Sequence, residues 1–142
     1  MAYNILIVDD SLPMRSVIKK TIKASGFKVG QIFEASNGED ALNILRDEWL
    51  DLVLTDYNMP DMNGLQLMTE MKKDELMKAI PVIMITTEGS QRRVAEFMEE
   101  GAEDYIKKPF TPEQIKQKLK CIVGEDDDGE ANFDNGNEEL DF

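Results

Sequence analysis

At 142 residues and 42% hydrophobic, the chain is long enough for one domain with a real core. Its formal charge of −13 argues against nonspecific binding to nucleic acid or anionic membrane, which both draw on excess Lys and Arg, and favours a protein partner. Zero histidines exclude a Ser/His/Asp triad, a His-ligated metal and an internal phosphohistidine, so any chemistry rests on carboxylates, hydroxyls, Lys and Arg.

In chain order, "YNILIV" (3–8) reads as a strand. It is followed by a helix from Ser11 as N-cap to a stop at Gly26, with Met14, Val17, Ile18, Thr21 and Ile22 at helical spacing. "VGQIFEA" (29–35) is a second strand, Gly38 to Asp47 a helix, Asp51 to Thr55 a third strand, and Gly64 to about Lys73 a helix. "PVIMIT" from Pro81 is a fourth strand, Ser90 to Glu100 a helix, and "DYIK" (104–107) a short fifth strand. Thr111 to Val123 closes the series, with Pro112 at the first helical position behind a Thr cap. The single Cys121, on that last helix, cannot pair internally and is expected to be a buried structural thiol. From Gly124 onward "GEDDDGEANFDNGNEELDF" holds nine acids and no base, a composition that predicts a disordered tail over 124–142 behind a domain spanning 1–123. No apolar run reaches the roughly 18 residues of a membrane span, and no signal-peptide pattern opens the chain; a cytoplasmic protein without membrane insertion is expected.

Strands alternating with helices predict an α/β fold, a doubly wound five-stranded parallel sheet covered on both faces, because parallel strands need helical crossovers of one hand. Ligands of such sheets bind outside the carboxyl ends of the strands. Asp9 and Asp10 end the first strand, Asp56 the third, Thr86 and Thr87 the fourth, and Lys107, Lys108 and Pro109 the fifth. Taken singly, each is an ordinary cap or turn residue. Together, three aspartates at one edge repel one another unless a cation intervenes, and with no His or thiolate the cation should be hard and oxygen-ligated, which suits Mg²⁺. Such a cation binds a phosphate oxygen, Lys108 holds a second as a point charge, and Thr86 donates to a third. A carboxylate can then be the nucleophile of phosphoryl transfer, and Asp56, standing alone on a central strand, is the best candidate. Asp51 and Asp61 read as solvated turn residues.

The motifs "VDDS" (8–11), "LTDYNMPDMNG" (54–64), "MITTEG" (84–89) and "YIKKPFTPEQI" (105–115) together resemble the receiver domains of two-component response regulators, and within them the single-domain CheY-like chemotaxis type. The resemblance covers residues 3 to about 123. It implies the flavodoxin-like strand order 2-1-3-4-5 and Asp56 as phosphoacceptor. It further implies Asp9, Asp10, Asp56 and the carbonyl of Asn58 around Mg²⁺, and a cis Lys108–Pro109 peptide with Lys108 on the phosphoryl group. Thr86 and Tyr105 are the implied switch pair, and Asn58 and Glu88 border the path of the hydrolytic water and set the dephosphorylation rate. The implied partners are a histidine kinase, a downstream protein target such as the flagellar motor switch, and a phosphatase, with the chain a monomer. Tyr57 stands where the chemotaxis type has Trp, and the acidic extension departs from the simplest pattern.

Three other readings compete. A phosphorelay intermediate or a regulator of another pathway uses the same residues. An aspartate-nucleophile phosphatase wants a second acid two residues after the nucleophile, where this chain has Asn58. A flavodoxin-like cofactor binder would set a phosphate against the two negative charges of "DDSLPM". No DNA-binding segment is recognised beyond residue 123, so output is expected through protein contact or phosphorelay, and the protein is expected not to act as a multiple-substrate enzyme.

Overall fold

The computed structural model describes residues 2–87 and 90–124. Elements run β1 (Tyr3–Val8), α1 (Leu12–Ser25), β2 (Val29–Ala35), α2 (Gly38–Asp47), β3 (Leu52–Asp56), α3 (Gly64–Lys72), β4 (Val82–Thr86), α4 (Gln91–Glu99), β5 (Asp104–Lys107) and α5 (Pro112–Val123). All strand pairings are parallel, as the alternating pattern predicts, and the order is β2-β1-β3-β4-β5, as the resemblance implies.

The strand period of two sends alternate side chains to opposite faces. Ile5 and Ile7, Leu52 and Leu54, and Ile83 and Ile85 meet Ile18 and Ile22 of α1 and Ile115 and Leu119 of α5. Leu6 and Val8, Val53, and Val82 and Met84 meet Leu45 of α2, Leu67, Met68 and Met71 of α3, and Phe97 of α4. Every residue of β3 and β4 is buried, which is why those segments read as continuous apolar runs rather than alternating ones.

Each helix starts on a short polar side chain that accepts a backbone N–H otherwise left without a partner: Ser11, Asn37, Asn63, Ser90 and Thr111. α1 ends on Gly26 in the left-handed region, at φ 83°. Gly64 is required by space: a Cβ there would stand 2.7 Å from the Asp56 carbonyl oxygen and 2.5 Å from Met84 Sδ, so α3 can begin directly against the end of β3.

Four expectations are corrected. β3 runs one residue later than the predicted 51–55, so Asp56 is the last residue of the strand itself. Val17, at core spacing on α1, is 51% exposed; the buried stripe there is narrow because α1 covers the sheet with Ile18 and Ile22 alone fully buried. Cys121 is exposed rather than buried, because the core face of α5 is taken by Ile115 and Leu119. Asp51 is not merely solvated: its Oδ2 accepts the backbone N–H of Asn4 at 2.8 Å, tying the start of β3 to β1. The predicted tail, apart from Gly124, lies outside the described residues, as does Glu88.

Candidate functional site

The parallel sheet brings the ends of β1, β3, β4 and β5 to one edge. Asp9 follows β1 and is only 2% exposed. Its N–H donates to Ala35 O at 3.1 Å, its Oδ1 accepts the Ser11 N–H at 2.8 Å, and its carbonyl accepts Arg15 Nη1 at 2.6 Å. Arg15 also donates from Nε to Glu34 Oε1 at 2.9 Å, and Lys19 reaches Glu34 Oε2 at 2.8 Å. Those bonds, that from Lys19 first, hold the Glu34 carboxyl below its ordinary pKa. Asp10 beside it is exposed.

Asp56 is 8% exposed. Lys108 Nζ lies 3.3 Å from Asp56 Oδ1 and 3.5 Å from Asp9 Oδ2, bridging strand ends that are 52 and 99 residues away in the chain. Lys108 is positioned by its backbone, which donates to Thr86 O at 2.8 Å, and by the cis Lys108–Pro109 peptide. Carboxylate oxygens of Asp9, Asp10 and Asp56 all lie within 4.8 Å of one another. Burial pushes the Asp56 carboxyl above its ordinary pKa; Lys108 pulls it back, and the charges of Asp9 and Asp10 push it further up. The cluster is therefore short of positive charge, since one ammonium faces three carboxylates. An all-oxygen set of this size fits a hard divalent cation.

The remaining predicted residues take these places. Thr86 is fully buried at the end of β4. Tyr105 is half-buried on β5 opposite Met84, and Lys107 is opposite Thr86, so Thr86 and Tyr105 share one face of adjacent strands. Asn58 is exposed in the loop after β3. Asp61 in that loop is exposed at φ 69°, a left-handed turn position that Asp tolerates.

One feature of the rim escaped the sequence. Arg93 of α4 places its guanidinium 4.5 Å over the Tyr57 ring and donates from Nη1 to Tyr57 Oη at 2.7 Å, while Tyr57 packs on Phe97 with ring centroids 5.3 Å apart. Tyr57 also donates its N–H to Ile85 O and accepts the Gly64 N–H. The residue next to Asp56 thus links β4, α3 and α4. No local pattern announces a pair 36 residues apart; an Arg two positions into a capped helix reads as solvated.

With a parallel 2-1-3-4-5 sheet and an acidic cluster and a lysine at its carboxyl edge, the chain belongs to a family of signalling proteins, the response regulator receiver domains, whose model matches residues 5–120. Chemotaxis proteins are among its relatives. It is 42% identical over 125 residues to the chemotaxis protein CheY1 of Helicobacter pylori, covering 87% of this chain and 98% of that protein. The chemotaxis protein CheY homolog of Campylobacter jejuni is 39% identical over 121 residues, 84% of this chain and 92% of that one. The solved structure of Vibrio cholerae chemotaxis protein CheY4 superposes with a TM-score of 0.77 at 29% identity, over 86% of this chain and 99% of that one.

Proposed function

We propose that Asp56 accepts a phosphoryl group from the phosphohistidine of a histidine kinase and that this switches the chain's affinity for a downstream protein in chemotaxis signalling, with the flagellar motor switch as target. The observation that carries the reading is the Asp56 carboxylate at a strand end, 3.3 Å from the Lys108 ammonium, with the oxygens of Asp9 and Asp10 within 4.8 Å.

In the transfer, an Asp56 carboxylate oxygen forms the O–P bond as the N–P bond of the donor breaks, and the imidazole leaves with the bonding electron pair. The raised pKa of Asp56 has burial as its first cause, so its attacking oxygen is poorly solvated. Lys108, already between Asp9 and Asp56, turns one N–H toward the phosphoryl oxygens and offsets their charge. Asp9, Asp10, Asp56 and the Asn58 carbonyl are the residues that would hold Mg²⁺, which when bound neutralises the phosphoryl oxygens and the excess acid. Thr86 donates its hydroxyl to the phosphoryl group. Tyr105, on the same face of the next strand, follows it inward and biases a pre-existing equilibrium of the surface formed by α4, β5 and α5. Asn58 and Glu88 set the lifetime of the acyl phosphate, on which a phosphatase would also act. The amide at Asn58 disfavours a multiple-turnover phosphatase, which needs an acid there for the leaving group.

The test is incubation with Mg²⁺ and acetyl phosphate, followed by intact mass. The wild type should gain one phosphoryl group, Asp56→Asn none, and chelation should abolish the gain. Equal labelling of the Asp56→Asn chain would refute the assignment, and labelling unchanged by chelation would refute the Mg²⁺ requirement.

A further inference from the structure

Charge along the last part of the chain is sharply divided. Residues 105–124 carry five lysines (107, 108, 116, 118 and 120) against one acid, Glu113, whereas residues 125–142 carry nine acids and no base. The basic part is organised into a groove of about 380 Å³ between β5 and α5, lined by Ile106, Lys107, Lys108, Pro109, Gln114 and Lys118. Lys107 is exposed and makes no ion pair among the described residues. Lys118 reaches Asp104 Oδ1 at 3.0 Å and lies 5.1 Å over the Tyr105 ring. β5 is an edge strand, so its outer side has no further strand beside it.

From these observations we infer that the segment 125–142 folds back in cis onto this face, seating its acidic and apolar stretch 137–142, "NEELDF", in the groove between β5 and α5 and covering Tyr105. The groove supplies cations for Glu138, Glu139 and Asp141 and an exposed apolar surface, from Pro109, for Leu140 and Phe142. Reach is ample. α5 leaves its groove-lining residues Gln114 and Lys118 and ends at Gly124, whose surroundings are open: a Cβ there would meet nothing within 4 Å. The helix is about 18 Å long at about 1.5 Å per residue, and the twelve residues 125–136 can extend about 40 Å at about 3.3 Å each. A tether this short presents the stretch at an effective concentration of order millimolar, so a weak contact suffices to occupy the groove. The consequence is competition: a protein that binds across α4, β5 and α5 must displace the segment first. The inference goes beyond the phosphoryl-transfer reading and does not depend on it.

The experiment uses the full chain, unphosphorylated and ¹⁵N-labelled, with a nitroxide on Gly136→Cys in a Cys121→Ser background, the replaced thiol being exposed. Paramagnetic broadening should concentrate on the amides of Tyr105, Lys107, Gln114 and Lys118. It should disappear near 1 M salt, where the screening length is about 3 Å, and likewise in Lys107→Glu/Lys118→Glu and in Leu140→Ser/Phe142→Ser. The last variant leaves the domain untouched, so lost broadening cannot be ascribed to unfolding. Broadening spread evenly over the surface, centred instead on a second lysine-lined groove, of about 420 Å³ between α1 and β2 with Lys19 and Lys23 on its wall, or retained in both double variants would overturn the proposal. Broadening carried between a nitroxide-bearing unlabelled chain and a ¹⁵N chain without nitroxide would assign the contact to a second copy and overturn the cis arrangement.

Discussion

Opposite stability effects are expected from removing the two partners of the Asp56–Lys108 pair. At an effective dielectric near 20, unit charges at 3.3 Å attract by about 5 kcal/mol, and a like-charged oxygen pair at the 4.8 Å outer limit of the cluster repels by about 3.5 kcal/mol. Asp56 therefore gains from Lys108 about what it loses to Asp9 and part of what it loses to Asp10, and its desolvation is left over as a net cost. The upward displacement of its pKa records the same balance. Asp56→Asn should stabilise the metal-free protein at neutral pH by on the order of 1–2 kcal/mol. Lys108→Met leaves three carboxylates without their ammonium and should destabilise it by roughly 2–4 kcal/mol. Because the folded state holds the Asp56 proton more tightly than the unfolded chain, native stability falls as pH rises from the ordinary carboxylate value of 3.8 through the raised one. The advantage of Asp56→Asn should thus be absent at pH below that window and complete above it. Urea unfolding of the three chains in chelator, at acid and neutral pH, measures this. A destabilised Asp56→Asn at neutral pH, or a neutral Lys108→Met, would refute the charge balance drawn from the geometry. Added Mg²⁺ should stabilise the wild type more than Asp56→Asn, by mass action on the folded state.

Three further outcomes are expected. Gly64→Ala pushes a methyl against the Asp56 carbonyl oxygen and the Tyr57 Cα, at 2.7 and 3.1 Å, neither of which can rotate away; a loss of about 2–3 kcal/mol of stability is expected, read as a lower urea midpoint, and an unchanged midpoint would show that α3 can shift. Glu34→Gln removes the partner of Arg15 and Lys19, at a cost of about 1 kcal/mol because the pair is partly exposed. The Glu34 pKa is depressed, so this contribution is present above the ordinary value of 4.5 and lost as pH falls through the folded one; a wild-type minus variant difference that grows on acidification would contradict it. Cys121, being exposed, should react with a disulfide reagent in the native protein as fast as in urea, whereas strong protection would restore the buried reading.

Local pattern was enough to read the elements, their order and the class of sheet, because each rests on information within a few residues: apolar runs at 82–86, caps such as Ser11 and Thr111, a glycine stop at Gly26. It also identified Asp9, Asp10, Asp56 and Lys108 as residues destined for one edge, since parallel strands deliver all their carboxyl ends to the same side. Distances between those ends are another matter. That Lys108 meets both Asp9 and Asp56, that Arg93 lies on Tyr57, and that Asp51 caps β1 rather than facing solvent depend on pairings 36 to 99 residues apart. Periodicity carries no signal at that range. Burial within a single helix was decided at the same level: Val17 has the spacing and Cys121 the residue type of core positions, yet both are exposed, because a helix on an open sheet buries only the stripe its neighbours reach. The sequence by itself thus determined which side chains arrive at the carboxyl edge, and the tertiary structure alone decided how closely they approach and how little water reaches Asp56, which is what sets its charge.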